Sequence, residues 1–254
     1  MVDINILIPD CTSCIKVKQS VKLYANQSEN ICTNKGEIIH MDLWGKYNVM
    51  SINGHQYYLV LVDNAMRYVT IYFLKGKHEA AQQIKNYLTH LHACGINTHA
   101  IRIDQGTEFI NKDLQEWCYA KGMEIQMMAP YSPSQNGIAE HMNRILVELA
   151  RMMINAAKLP EFLWEPAVMH AAYIQNCTYT IAIQNKTPYQ AWHGTKPNVS
   201  HLREFGVPIW ILLQGQNIAW KILPKSKWCA YLGYNDANKS VLYYNAETRK
   251  ILIL

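Results

Sequence analysis

Gln56-Tyr57-Tyr58-Leu59-Val60-Leu61-Val62-Asp63 is a nearly continuous apolar run. That pattern marks a strand covered on both faces inside a sheet. Before it, Glu37-Ile38-Ile39-His40-Met41-Asp42-Leu43-Trp44 alternates apolar and polar positions and reads as a second strand. Ser51-Ile52-Asn53-Gly54 lies between the two and carries an Asn-Gly hairpin signal. After it, Arg67-Tyr68-Val69-Thr70-Ile71-Tyr72-Phe73-Leu74 is rich in β-branched and aromatic residues, as a third strand requires. Three neighbouring strands joined by short turns form an antiparallel meander.

Further along, the period changes. From His78 to Cys94 the apolar positions Ala80, Ala81, Ile84, Tyr87, Leu88 and Leu91 form a helical stripe that Gly95 stops. Residues 98–104 give a short strand ending in Asp104, and Leu114–Lys121 a helix closed by Gly122. Glu124–Met128 gives another strand, and Pro130–Gly137 a loop rich in breakers. A long helix is expected from about Ser134 or Ile138 to Ala157, with Ile138, Met142, Ile145, Leu149, Met152 and Met153 on its apolar side. The order strand-strand-strand-helix-strand-helix-strand-helix predicts an α/β protein, a mixed sheet flanked by helices.

The bulk properties set outer bounds. A chain of 254 residues that is 50% hydrophobic can bury a sizeable core in one large domain with smaller attachments. The charge, 24 − 19 = +5, is compatible with a nucleic-acid partner without being diagnostic of one. No apolar run approaches the roughly 18 residues of a membrane span, so no membrane partner is expected. Residues 1–5 lack the basic and apolar regions of a secretory signal. Seven scattered cysteines read as reduced thiols of an intracellular protein. Cys11-Thr12-Ser13-Cys14 is half of a tetrahedral zinc site, and Cys32 and His40 do not supply the paired spacing of the other half. Zn²⁺ is therefore not expected in this chain. Trp117, Trp164, Trp192, Trp210 and Trp228 read as packing residues, and Met123, Met127 and Met128 as core filler.

Three acids suit a two-metal phosphoryl-transfer site, which needs carboxylates converging on cations about 3.5–4 Å apart. Asp42 is mid-strand, Asp104 ends a strand, and Glu140 lies near the start of the long helix. Hard cations such as Mg²⁺ take oxygen ligands and keep several waters, so few protein groups are needed. On strand logic alone Asp63 competes with Asp42, and single acids at strand ends are more often turn or cap residues.

The local sequences carry a resemblance. His40-Met41-Asp42-Leu43-Trp44-Gly45, Arg102-Ile103-Asp104-Gln105-Gly106-Thr107-Glu108-Phe109 and the stretch from Tyr131 through Ser134-Gln135-Asn136-Gly137 to Glu140 and Arg144 resemble the three acid motifs of copia-type LTR retrotransposon integrases. Between Asp104 and Glu140 lie 140 − 104 − 1 = 35 residues, the spacing of retroviral-type integrases. Asp63-Asn64-Ala65-Met66-Arg67-Tyr68 resembles a family strand motif whose acid is not catalytic, which favours Asp42. Residues 159–164, 187–192, 201–206 and 225–234 resemble the family's later segments, and Cys11 and Cys14 the end of its zinc module. Gln105, His141 and Asn64 depart from the family pattern, as do the missing zinc histidines.

The resemblance implies an RNase H-like mixed five-stranded sheet flanked by helices, then a helical extension and a small SH3-like β-domain. Residues 1–36 would be a remnant of the zinc module and linker. Residues 37–200 would be the catalytic core with its extension, and 201–254 the β-domain. It implies metal-dependent 3′-end processing and strand transfer of element DNA into target DNA by a polynucleotidyl transferase. Asp42, Asp104 and Glu140 would hold two Mg²⁺ or Mn²⁺ ions. Gln135, Asn136, His141, Arg144 and Arg151 are the candidate DNA contacts, and Glu140, Arg144 and Arg151 share one helix face by periodicity. Homo-oligomers and action in the nucleus, with cytoplasmic particles as a second location, complete the expectation. The alternatives are a catalytically inactive nucleic-acid-binding remnant and a nuclease of RNase H type.

Overall fold

The computed structural model describes residues 33–103, 111–127, 133–212, 225–235 and 240–254, with the side chains of 133–136 left out. Asp104, Gln105, Cys11 and Cys14 thus lie outside the described residues, as do the side chains of Gln135 and Asn136.

The meander is β1 (Ile38–Trp44), β2 (Tyr57–Asp63) and β3 (Val69–Leu74). It is followed by helix α1 (Ala80–Ala93), β4 (Ala100–Ile103), α2 (Lys112–Ala120), β5 (Glu124–Met127) and the long α3 (Pro133–Ala157). The sheet order is β3-β2-β1-β4-β5. β1 pairs antiparallel with β2 and parallel with β4, so the sheet is mixed. This is the five-stranded sheet flanked by helices that the residues predicted. β2 lies between β3 and β1, and its core-facing positions on both sides are solvent-free, which accounts for its unbroken apolar run.

Strand alternation divides the sheet into two layers. Ile39, Met41, Leu59, Leu61, Ile101 and Ile103 pack against α1 and α2. Tyr58, Val60, Val62 and Val69 pack against α3 and α4 (Trp164–Cys177). The buried residues of α1 are the six the helical period singled out. α3 differs from expectation. Its buried apolar positions are Ala139, Met142, Leu146 and Ala150, whereas Met152 is 58% exposed. Small residues let the helix lie close to the sheet, and an apolar count that gave alanine little weight rotated the stripe.

Other boundaries move for local reasons. Asn111 caps α2 by accepting from the Leu114 N–H at 2.8 Å, so that helix starts before Leu114. Arg67 has φ 58 and its N–H donates to the Asp63 carbonyl, placing it in a turn before β3. α3 begins inside the stretch read as a loop, at Pro133, where proline suits a first turn. The Asn-Gly signal does make a turn, with the Gly54 N–H on the Ser51 carbonyl, at the tip of a longer connection.

α4 is covered on nearly every side and runs between the two sheets, packing on α3 and β3 and on β7 (Ser226–Asn235). Two of its polar residues are tied down. Asn176 makes both amide hydrogen bonds to the Val69 backbone, each 2.8 Å. Glu165 accepts from Ser51, Asn53 and His55, latching the β1–β2 connection to the helix. After α5 (Pro188–His193), a four-stranded antiparallel sheet follows, ordered β6 (Pro208–Leu212), β7, β8 (Ser240–Asn245) and β9 (Lys250–Ile253). Residues 32–254 group as one compact unit.

Two packing assignments are corrected by exposure. Trp210 and Trp228 face each other across β6 and β7 and are 71% and 55% exposed, although Trp164 is core. Met127, on the edge strand, is 49% exposed. No described helix is long and apolar enough to cross a membrane. Cys94, Cys118, Cys177 and Cys229 are free thiols.

Candidate active site at the start of the long helix

Asp42 sits on β1 between His40 and Trp44, all three on the sheet face that α3 covers. Its register partner is Val60, a member of the α3-side core. The carboxylate is half-buried. Oδ1 accepts the Leu43 N–H at 2.9 Å, and Oδ2 accepts the Asn143 side-chain amide at 2.5 Å. Asn143 is buried and belongs to α3, so this hydrogen bond pins the helix to the strand at Asp42.

Glu140 lies one turn before Asn143. Residues three apart share a helix face with about 5–6 Å between Cβ atoms. Glu140 is exposed, at the outer end of the turn that touches Asp42. Asp42 and Glu140 thus lie on a strand and a helix that the Asn143 hydrogen bond joins. The described register of β4 on β1 runs from Ile38↔Ala100 to Met41↔Ile103, and Asp104 lies outside the described residues. Among the described residues no group of three His, Cys, Asp or Glu side chains is placed to hold a metal.

Sequence reasoning missed Asn143, one of several polar residues on the helix. Its Oδ1 is buried without a hydrogen-bond partner among the described residues, as is the Tyr58 hydroxyl. Burial and the charge of Asp42 push the Tyr58 phenol far up, so the ring stays neutral. Trp44 stacks on Tyr58 with centroids 5.1 Å apart. His40, fully buried next to Asp42 along β1, is bonded through Nε2 to the Asn64 side-chain oxygen at 2.9 Å. A neutral amide at 64 suits that buried imidazole.

Of the candidate DNA contacts, His141, Arg144 and Arg151 are exposed on α3. The Arg144 guanidinium donates to His141 Nδ1 at 2.9 Å. Asp63, the rival acid, points into the other layer with 1% exposure. It accepts the N–H groups of Gly36 and Met66 at 2.7 and 2.5 Å, and burial raises its pKa. Its place is a turn cap.

The mixed sheet between helices carries Asp42 at mid-strand, and a helix anchored to that strand carries Glu140. Residues 33–133 match the family described as integrase core domain, a match that stops short of Glu140. Across 96% of its length the chain is homologous to copia-type retrovirus-related Pol polyproteins. It is 27% identical over 250 residues to that of transposon TNT 1-94 from Nicotiana tabacum. It is 30% identical over 246 residues to that of transposon RE1 from Arabidopsis thaliana. The chain spans only 18% and 16% of those relatives. In fold it resembles a chain of the simian T-cell lymphotropic virus intasome, solved by cryo-electron microscopy in complex with PP2A regulatory subunit B56 gamma. The TM-score is 0.53 and the identity 18%, over 96% of this chain and 84% of that one.

Proposed function

We propose that this chain carries out DNA integration as a polynucleotidyl transferase, with Asp42, Asp104 and Glu140 as its metal-holding acids. The observation that carries the reading is the Asn143–Asp42 hydrogen bond, which fixes the helix bearing Glu140 against the strand bearing Asp42. Sequence adjacency supports adding Asp104: it follows Ile103, and Asp42 follows Met41, the register partner of Ile103. The described donors are carboxylate oxygens with an amide nearby, a set that fits Mg²⁺ or Mn²⁺ better than a soft metal. When bound, such ions supply activation of an attacking oxygen and stabilisation of a leaving oxygen at a phosphodiester.

The chain's own residues do the positioning. Asn143 orients the Asp42 carboxylate, and Tyr58 and Trp44 shield its inner side from water. His141, Arg144 and Arg151 line the exposed α3 face, where cations would hold DNA phosphates. Gln135 and Asn136 belong to the same proposed surface. The substrates would be element-end DNA and target DNA, processed at 3′ ends and then joined. Assembly as a homo-oligomer, action in the nucleus and a division into core (37–200) and SH3-like β-domain (201–254) belong to this reading.

The inactive-remnant reading draws on Gln105 and His141, which depart from the pattern that copia-type integrases follow. An oligonucleotide strand-transfer assay with Mg²⁺ or Mn²⁺ separates the two. Product above the level of Asp104→Asn is expected. Product equal to that variant's would leave only nucleic-acid binding.

A further inference from the structure

Beyond the acids lies a cleft that nothing in the reaction above uses. Its volume is about 740 Å³, within the range of small-molecule sites and large enough for a nucleotide. Trp44, Tyr47 and Trp164 form its aromatic side, and Val147 of α3 lies among its apolar lining. Arg151 and Lys158 line it as well, and both are exposed. The Tyr47 hydroxyl is bonded to Glu161, which lifts that phenol to about 12 and leaves the ring neutral.

The position of the cleft matters as much as its lining. Trp44 follows Asp42 by two residues, hence on the same strand face and about 7 Å further on. Arg144 and Arg151 are seven residues apart, about 10 Å of helix, on the side that carries Glu140, and Lys158 follows just past the helix end with φ 50. A strand held by its phosphates along that row would pass over the cleft mouth.

We propose that this cleft is a subsite for an unpaired nucleobase of the DNA substrate. The base would stack on the aromatic side with its phosphates on Arg151 and Lys158. The inference rests on the DNA-binding reading above. Aromatic rings bind bases of any sequence through their π-faces, and a base inside a duplex has no free face to offer. The occupant is therefore single-stranded or splayed DNA. Two cations against the one carboxylate of Glu161, itself bonded to Tyr47, favour a polyanion over an apolar protein segment.

The test measures binding of the full chain to three duplexes with the same paired region. One is blunt, one carries a four-nucleotide single-stranded tail, and one carries a tail of abasic units. The base-bearing tail is expected to bind about tenfold tighter than the other two, with quenching of tryptophan fluorescence. Val147→Phe, which narrows the cleft, should abolish that preference and leave blunt-duplex affinity unchanged. Arg151→Ser/Lys158→Ser, at exposed positions, should weaken the tailed duplex without lowering the melting temperature. Equal binding of abasic and base-bearing tails would overturn the cleft while leaving DNA binding intact. A change in oligomeric state of Val147→Phe with the preference retained would give the cleft to a second copy of the chain instead. Binding of none of the three duplexes would instead strike the DNA-binding reading, and the cleft with it.

Discussion

Asp42 and Asp63 stand on paired strands and end in opposite layers. Asp42 is half-buried on the α3 side and accepts an amide from a helix that brings a second acid. Asp63 is sealed on the α1 side and accepts backbone N–H groups of its own turn and of Gly36. The same side chain thus keeps solvent access in one layer, as the proposed chemistry requires, and caps a turn in the other, where backbone donors surround it. The largest expected effect follows. Asp42→Asn should lower strand transfer about a thousandfold, ~4 kcal/mol in the barrier, in single-turnover assays. Its unfolding free energy in urea should stay within about 1 kcal/mol of wild type. A collapse of stability would make Asp42 structural as well and erase the contrast.

The α3 side is not devoted to chemistry alone. Trp164 is a core residue there, and its indole N–H donates to the Val49 carbonyl at 3.0 Å. Trp164→Ala should cost about 3–5 kcal/mol in urea unfolding. Trp210→Ala, at an exposed position, should stay within about 0.5 kcal/mol. Similar losses at both would show that the β6–β7 tryptophans are covered in solution.

Much of this division could be read from the residues alone. The run at 56–63 and the helical stripe at 80–91 carry strong signals, because β2 is covered on both faces and α1 on one. The pairing of Asp42 with α3 was not legible. Asn143 is one polar residue in a helix with several, and only packing decides that it points inward. Nor could periodicity foresee that Trp210 and Trp228 stand in solvent, since alternation along a strand assigns two faces without saying which is covered.

His170 tests the far side of α4. It is buried against Phe205 and Tyr231, and desolvation lowers its pKa to about 4. Near pH 7 the imidazole is neutral in both states. As pH falls below the unfolded value near 6.5, the unfolded chain takes up the proton first, so stability falls until about pH 4. The loss should be on the order of 3 kcal/mol, read from urea midpoints, and His170→Leu should remove that slope. Asp63→Asn should cost less, about 1–3 kcal/mol, because one oxygen still accepts while the new amide faces backbone donors. A cost near zero would mean that turn holds without its cap.

The smallest effects belong to the helix surface. Removing one cation that neutralises a phosphate should reduce the salt slope of DNA binding by about one unit. Arg144→Ala and Arg151→Ala should each do so if the α3 face carries the DNA. Lys85, on α1 and tied to Asp113 at 2.6 Å, belongs to the layer of Asp63. Lys85→Ala should leave the slope unchanged. Titrations of log affinity against log salt, run on the three variants with one duplex, set the two faces side by side. An equal fall for Lys85→Ala would spread DNA over both layers, and the different surroundings of the two aspartates would no longer mark where the substrate lies.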